Sequence, residues 1–409
     1  MSWLRNHKHT VYRAAVGAAA ISLICFIWAG VNLYRNRKLL ETEIAARDYV
    51  GRGGSQGNSQ GSSQGNNQGS SQGDSQGSSQ GDSQGSSQGD SQESSQGDSQ
   101  GSSQGDSQES SRDCGQWDTY LFGGDVVEYS GKRYRRSSYV KAILCIGVDR
   151  SGEMTEKTTT GFGGQADGVF LIAQDTARNT IKILMIPRDT MTDITLTDLS
   201  GNELGKDMQH LTLAYAYGDG REKSCQYMVD AVSELLGGLK IEWYLAADTS
   251  VIPVLNDEVG GVTVTIETDG MENRDPALVK GETVTLKGKQ AEVFVRYRDV
   301  NVDHSALYRM DQQQQYIKGF FQAVQRHSAK DSGLVVRLFE RIQDYMVTNM
   351  TKDQYLKVAM DAVTGGKLGD EDFYTVPGEG VVTLRFDEFY ADREALIPIL
   401  LELFYREIE

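Results

Sequence analysis

Short apolar runs and helical periodicities alternate along the C-terminal part of the chain. Three runs are typical of fully buried strands, Val140 to Val148, Val169 to Ala173 and Ile181 to Ile186. The pattern then predicts a helix at Glu222 to Leu236, strands at Ile241 to Ala246 and Val262 to Ile266, a short helix at Lys289 to Val295, and a long helix from about Ser305 to His327. Strands that alternate with helices indicate an α/β sheet covered on both faces.

The last part of the chain, 331–409, has a weaker pattern. It predicts two helices, two short strands around Pro377-Gly378 and a final helix from Glu388 to Phe404. Because its apolar periodicity is too sparse for a separate domain, we interpret it as an α/β extension packed on the main domain, 139–330. Residues 112–138 connect that domain to the N-terminal region.

Near the N-terminus lies one long uncharged stretch, 14–34. At about 1.5 Å per residue, a helix of this length spans a hydrocarbon layer of ~30 Å, so we predict a single transmembrane helix. A cleaved signal peptide is the alternative, which the length of the apolar run disfavours. Basic residues flank both ends equally, but the short tail, 1–13, favours a cytoplasmic N-terminus. Residues 35–52 then form a juxtamembrane segment outside the cell.

The next segment, 53–111, contains only Gly, Ser, Gln, Asn, Asp and Glu, with an eight-residue repeat that spaces its aspartates evenly. With no apolar side chain to bury, it is predicted to be a disordered tether. A Gly-rich coil of this length reaches roughly 40–45 Å. The repeat also suggests a row of cation sites, but single aspartates in coil bind cations poorly, so a solvated spacer is favoured.

The net charge and the cysteine spacing argue against nucleic-acid binding and zinc binding. The net charge is −16, and the folded part is itself acidic, which argues against nucleic-acid binding because phosphate contacts require clustered Lys and Arg. The four cysteines, Cys25, Cys114, Cys145 and Cys225, lack zinc-type spacing. We expect Cys145 and Cys225 to be buried free thiols, with a disulfide between them as the alternative.

Two aspartates stand where the first predicted strands end or begin. Asp149 follows the first strand, and Asp167 comes just before the second. Carboxylates at neighbouring strand ends can share Mg²⁺, which binds through one or two carboxylates plus substrate phosphates. Each aspartate alone is also typical of a turn or a cap.

Several arginines follow elements of this otherwise acidic domain. Arg188 and Asp189 close the third strand, and Arg309 lies four residues before Gln313 on the long helix. Arg296 and Arg298 end the short helix. Guanidinium groups match phosphate oxygens in bidentate fashion, so Arg296, Arg298 and Arg309 predict a pyrophosphate clamp, and Arg188 is a candidate anion ligand held by Asp189. Structural ion pairs and a solvated charged face are the alternatives.

Six ordered blocks between Tyr139 and His327 resemble the LytR-CpsA-Psr (LCP) family of cell-wall enzymes. The blocks are Gly147-Val148-Asp149-Arg150, Ala166-Asp167, Ile186-Pro187-Arg188-Asp189-Thr190, Ala214-Tyr215-Ala216-Tyr217-Gly218, Gly260-Gly261-Val262 and Val295-Arg296-Tyr297-Arg298. The single-span anchor also fits the family. The resemblance implies an LCP-like α/β fold, with a mixed central β-sheet between helical layers and an apolar interior that accepts lipid.

The resemblance also implies an activity. The protein would be an extracytoplasmic phosphotransferase at the cell membrane, with its catalytic domain at 139–330 facing the wall. It would take an anionic glycan, such as teichoic acid or capsular polysaccharide, from a polyprenyl-pyrophosphate carrier and attach it to peptidoglycan. Asp149 and Asp167 would bind Mg²⁺, with Mn²⁺ as the alternative ion. The pyrophosphate would be held by Arg188, Arg296, Arg298, Arg309 and Gln313. Asp189 and Asp303 are both candidates for the general base.

Two other functions stay open. A hydrolase would pass the same pyrophosphate substrate to water, and a wall-binding or regulatory protein would keep the fold without catalysis. A DNA-binding regulator fits neither the anchor nor the acidic charge. Many relatives carry an arginine just before the second aspartate, where this chain has Gln165-Ala166, and an Arg-Gln pair in the long helix, where it has Asp311-Gln312-Gln313. We therefore expect fewer basic groups in the clamp.

Overall fold

The computed structural model describes residues 121–408, apart from 332 and 384–385. The predicted membrane helix at 14–34 and the predicted tether at 53–111 lie outside the described residues. Within the described part of the chain, no helix is both long enough and apolar enough to cross a bilayer.

The described residues begin with seven strands and continue as a mixture of α-helices and strands. The strands are β1 (Val126–Tyr129), β2 (Lys132–Arg136), β3 (Val140–Val148), β4 (Ala166–Asp175), β5 (Thr180–Ile186), β6 (Met191–Thr197), β7 (Glu203–His210), β8 (Trp243–Asp248), β9 (Thr263–Thr265), β10 (Thr283–Thr285), β11 (Met346–Thr348), β12 (Phe373–Thr375), β13 (Gly378–Val382), β14 (Asp387–Ala391) and β15 (Tyr405–Ile408). The α-helices are α1 (Glu222–Leu235), α2 (Ile252–Glu258), α3 (Lys289–Arg296), α4 (Ser305–Ser328), α5 (Leu334–Ile342), α6 (Lys352–Thr364) and α7 (Arg393–Phe404).

A six-stranded sheet lies at the centre, in the order β11-β8-β3-β4-β5-β12. Strand β3 is parallel to β8, and β5 is parallel to β12, whereas the other pairs are antiparallel. Strands β11 and β12 come from the C-terminal part of the chain, so that part supplies both edges of this sheet. The expected mixed central sheet is confirmed.

Both faces of this sheet are buried, which explains why β3 to β5 are mostly apolar. Ile143 and Phe170 belong to a core shared with helices α2 to α6. Leu144 and Leu171, one position along, belong to a second core shared with α1 and α7. Cys145 lies in the first core and Cys225 in the second, and both are free, buried thiols, as expected.

The β6–β7 hairpin is not predicted by the sequence pattern, and the predicted start of the last helix, Glu388, is wrong. Asp387–Ala391 forms strand β14, which pairs antiparallel with β13. Helix α7 begins only after Asp392, whose side chain accepts a hydrogen bond of 3.0 Å from the Ala395 N–H. This N-cap fixes the helix start because it satisfies a backbone donor that the helix leaves unpaired.

Candidate active site

The strand directions bring distant residues to one edge of the central sheet. Because β4 is antiparallel to both β3 and β5, the end of β3, the start of β4 and the end of β5 lie side by side. Gly147 pairs with Gly168, but Val148 pairs with Ala166, so Asp167 is the extra residue of a β-bulge. Such a bulge turns a side chain away from the regular alternation of the strand. Asp167 therefore lies within β4, not before it as predicted.

Asp149 and Asp167 are both buried at this edge, 3% and 0% exposed. The backbone of Gln165 links them. Its N–H donates to Asp149 Oδ1 at 2.6 Å, and its carbonyl accepts from the N–H groups of Asp149 and Asp167, both at 3.0 Å. Burial, together with the nearby Asp167 carboxylate, raises the pKa of Asp149 to about 8. The pair therefore favours bound positive charge, which would offset the repulsion between the two carboxylates.

Arg188 supplies part of that charge. It follows β5, it is 7% exposed, and its Nη1 donates to Asp167 Oδ1. Its Nε lies 3.2 Å from Asp189 Oδ1. Burial lowers the pKa of Arg188, but the carboxylates of Asp167, Asp189 and Asp149 raise it more, so the pKa stays above its usual value. Arg188 is thus a cation held in place by the acids around it.

Arg309 on α4 approaches the same aspartate but is far less well paired. It is 2% exposed, and its Nη1 lies 3.6 Å from Asp167 Oδ2. Its Nε and Nη2 atoms have no hydrogen-bond partner among the described residues. Burial lowers the pKa of Arg309 to about 10, and the attraction of Asp167 only partly opposes this. Buried donors without partners are rare, and here they are available to the oxygens of an anionic ligand.

Three further predicted site residues are less buried than this cluster. Arg296, at the end of α3, is ion-paired with Glu292, and its charge also acts on Asp149. Arg298 is half-buried and acts electrostatically on Arg309. Asp303 is exposed, in the turn before α4.

Gln313 lies one turn along α4 from Arg309. It is 1% exposed and donates from Nε2 to the Val295 carbonyl at 3.2 Å. Its contact with the last turn of α3 holds the segment from which Arg296 and Arg298 extend.

A cavity that is open to solvent lies beside Arg188 and Asp189. The start of α4 and the β13–β14 hairpin form its other walls, and the Phe389 N–H holds the hairpin in place by donating to the Asp189 carbonyl at 2.9 Å. The lining residues are Pro187, Arg188, Asp189, His304, Ala306, Leu307, Met310, Gly380, Asp387, Glu388 and Phe389. Sequence reasoning missed the hairpin wall. The capping residue Asp392 was the one signal that these residues precede the last helix.

A third buried acid, Asp248, was also missed. It ends β8, where it pairs with Val148 of β3 next to Asp149, and it is 0% exposed. Its Oδ1 accepts from the Ser250 N–H at 2.6 Å, and burial raises its pKa to about 6. The position of this acid, at the end of an apolar strand in the sequence, was the signal that could have identified it. Its contact with Ser250 gives it a capping role.

The sequence of this chain is similar to those of known proteins. TagU of Bacillus subtilis (strain 168), a polyisoprenyl-teichoic acid–peptidoglycan teichoic acid transferase, is 26% identical over 285 residues, which cover 68% of this chain and 82% of TagU. TagV of the same organism, with the same enzyme name, is 25% identical over 215 residues, covering 51% of this chain and 49% of TagV.

The fold has solved counterparts. The crystal structure of protein gbs0355 from Streptococcus agalactiae superimposes with a TM-score of 0.51 at 20% identity, covering 65% of this chain and 87% of that one. At this identity the likeness concerns the fold. The sequence profile of the LytR_cpsA_psr family matches residues 100–395, most of the chain. The chain therefore belongs to the LytR_cpsA_psr family.

Proposed function

We propose that this protein transfers an anionic glycan polymer from a polyprenyl-pyrophosphate carrier to peptidoglycan. The observation that carries the proposal is the buried cluster of Asp149, Asp167, Arg188 and Arg309 at one sheet edge. It combines two buried carboxylates with two Arg309 donors, Nε and Nη2, that make no hydrogen bond to the described residues. Family membership supports the proposal, and the names of TagU and TagV favour a teichoic acid as the polymer.

The reaction is a substitution at phosphorus. An oxygen of a peptidoglycan sugar hydroxyl forms a bond to the phosphorus that carries the glycan. The bond from that phosphorus to the bridging oxygen breaks, and polyprenyl phosphate leaves with that oxygen. The product is a phosphodiester between glycan and wall. Asp189 accepts the hydroxyl proton, because it lines the cavity beside Arg188, whereas Asp303 is exposed and does not line it.

The arginines stabilise the charge that develops on the phosphate oxygens. Arg309 binds them through its Nε and Nη2, and Arg188, held by Asp167 and Asp189, adds a fixed positive charge. Arg296 and Arg298 bind the pyrophosphate from the end of α3. Gln313 positions that end through Val295. In phosphoryl transfer one such arginine contributes about 10³–10⁵ in rate.

Asp149 and Asp167 fit a divalent metal ion. Their oxygens are ligands that Mg²⁺ prefers, and a cation would relieve the repulsion that raises the pKa of Asp149. The described residues contain no cluster of three or more His, Cys, Asp or Glu side chains suited to a metal. This matches an ion that completes its shell with water and substrate phosphates. When bound, Mg²⁺ or Mn²⁺ would add positive charge at the phosphate oxygens.

The proposed location follows from the substrates. A lipid carrier and peptidoglycan meet at the outer face of the cytoplasmic membrane. The predicted helix at 14–34 would anchor the chain there, and the predicted tether at 53–111 would let the domain reach the wall.

The test uses the full-length chain with a polyprenyl-pyrophosphate-linked glycan, Mg²⁺ and peptidoglycan. Release of polyprenyl phosphate and labelling of peptidoglycan are measured together, and Arg298→Ala is expected to abolish both. Release without labelling would favour the hydrolase. Glycan binding without turnover would favour the wall-binding protein. Labelling that survives Arg298→Ala would contradict the proposed clamp.

A further inference from the structure

The cavity beside the cluster is lined differently from the arginine side of the site. The β13–β14 hairpin contributes Asp387, Glu388 and Phe389 to one wall, facing Arg188 and Asp189. The start of α4 forms the opposite side with Leu307 and Met310, so apolar and acidic side chains line the same space. The cavity is open to solvent, and a ring of a larger ligand can lie in it while the rest of that ligand stays outside.

The charge of the cavity lining indicates which of the two proposed substrates, the pyrophosphate-linked glycan or peptidoglycan, binds there. Asp189, Asp387 and Glu388 bring three carboxylates to the lining, and Arg188 is already paired with Asp167 and Asp189. Negative charge in excess disfavours a pyrophosphate or an anionic polymer in this space. Carboxylates do accept hydrogen bonds readily from hydroxyl groups. The lining chemistry therefore suits a neutral, hydroxyl-rich ligand.

The walls are held in place before any ligand binds. The Tyr390 hydroxyl donates to Glu388 Oε2 at 2.7 Å, which orients that carboxylate. His304 lies against Gly380, where any side chain would overlap the imidazole, so the hairpin can approach the start of α4 closely. On the opposite wall, Arg188 Nε lies 3.2 Å from Asp189 Oδ1, and this ion pair holds both side chains in place. Two preformed walls thus face each other across the cavity.

We infer that this cavity is the acceptor subsite, in which a neutral sugar ring of peptidoglycan donates hydroxyl hydrogen bonds to Asp387 and Glu388. Leu307 and Met310 at the start of α4 contact the apolar face of the ring. The inference rests on the proposed function. It assigns the arginines to the glycan donor and the β13–β14 hairpin to the peptidoglycan acceptor. The arginines hold the donor, and the hairpin holds the acceptor with its reacting hydroxyl directed at Asp189.

Binding of a neutral sugar oligomer tests this without any transfer. The N-acetylglucosamine tetramer is titrated into the full-length chain by calorimetry, with no lipid donor present. Asp387→Ala and Glu388→Ala are each expected to weaken the Kd about tenfold, because each removes a hydrogen bond to a charged group. Glu379→Ala, on the same hairpin but outside the lining, is the matched control and is expected to leave the Kd unchanged. Glu388→Gln keeps an acceptor oxygen and is expected to restore part of the affinity.

Three results would overturn the inference: no binding of the tetramer by the unmodified chain, unchanged binding by the double variant of Asp387 and Glu388, or complete displacement of the tetramer by geranylgeranyl pyrophosphate. Thermal unfolding of each variant checks that it is folded. If the tetramer behaves as expected but no glycan is transferred in the full assay, the proposed function fails and the sugar subsite stands. If transfer proceeds and the acceptor KM of the variants is unchanged, only the subsite fails.

Discussion

Arg188 and Arg309 lie in the same buried cluster, but their surroundings predict different effects on stability when each is replaced by methionine. Arg188 donates to Asp167 and lies 3.2 Å from Asp189. Its loss would leave the buried Asp149 and Asp167 with much less compensating charge. Removing one partner of a buried ion pair destabilises by about 3–5 kcal/mol. We expect Arg188→Met to lower the free energy of unfolding by that amount.

Arg309 differs because its burial is poorly compensated. Its separation from Asp167 is 3.6 Å, and two of its donor atoms have no described partner. An unsatisfied buried donor destabilises by about 1–3 kcal/mol, and methionine removes both donors while filling similar space. The lowered pKa of Arg309 reflects the same imbalance. We expect Arg309→Met to change the free energy of unfolding by less than about 1 kcal/mol, or to raise it.

Urea denaturation followed by circular dichroism at pH 7 measures the free energy of unfolding of both variants, and the glycan-transfer assay measures their activity. Both substitutions are expected to reduce transfer about 100-fold or more, because both remove charge from the transition state. Arg326→Met, on the exposed face of α4, is the control and is expected to alter stability by less than about 0.5 kcal/mol. Equal destabilisation by Arg188→Met and Arg309→Met, or full transfer activity in Arg309→Met, would refute the reasoning.

Three further predictions concern pH, packing and metal. Burial raises the pKa of Asp248 from 3.8 to about 6, so the folded chain keeps a proton that the unfolded chain releases, and stability falls as pH rises through this range. The free energy of unfolding of Asp248→Asn should therefore equal that of the parent near pH 3.5 and exceed it above pH 6 by up to about 3 kcal/mol. Urea denaturation at several pH values measures this difference. A methyl group on Gly218 would overlap the backbone of Ser224, whereas one on Gly366 would meet open space. Gly218→Ala should therefore lower the free energy of unfolding by about 1–3 kcal/mol and lower the melting temperature. Gly366→Ala is the control and should change the melting temperature little. Chelation by EDTA should abolish transfer, and added Mg²⁺ should restore it in the parent chain but not in Asp149→Asn, as measured by polyprenyl phosphate release.

Strands β3, β4 and β5 of the central sheet could be predicted from the sequence because both of their faces are buried. Val140–Val148 was predicted at its observed bounds, and Ile181 to Ile186 falls one residue short of the observed β5. In such strands most positions are apolar, so the run itself marks the element. Strand β7 gave no such signal, since most of its residues are exposed.

The candidate site could be predicted only in part, for a related reason. Asp149, Asp167 and Arg188 interrupt or follow apolar runs, and the strand directions bring such positions to one edge. The hairpin wall of Asp387 and Glu388 could not be predicted, because its place beside Arg188 depends on a tertiary contact between Phe389 and Asp189, far apart in the chain. The exposed position of Asp303 likewise depends on the turn before α4.

The central claim is that the buried aspartate and arginine cluster joins a lipid-carried glycan to peptidoglycan through phosphorus. The most direct measurement is mass spectrometry of peptidoglycan digested after incubation with the full-length chain, Mg²⁺ and a labelled polyprenyl-pyrophosphate glycan. We predict a fragment in which one phosphodiester links the glycan to a wall sugar, with an equal amount of polyprenyl phosphate released, and neither product from Arg309→Met. Free glycan phosphate with undecorated peptidoglycan, or decoration that persists in Arg309→Met, would contradict the account.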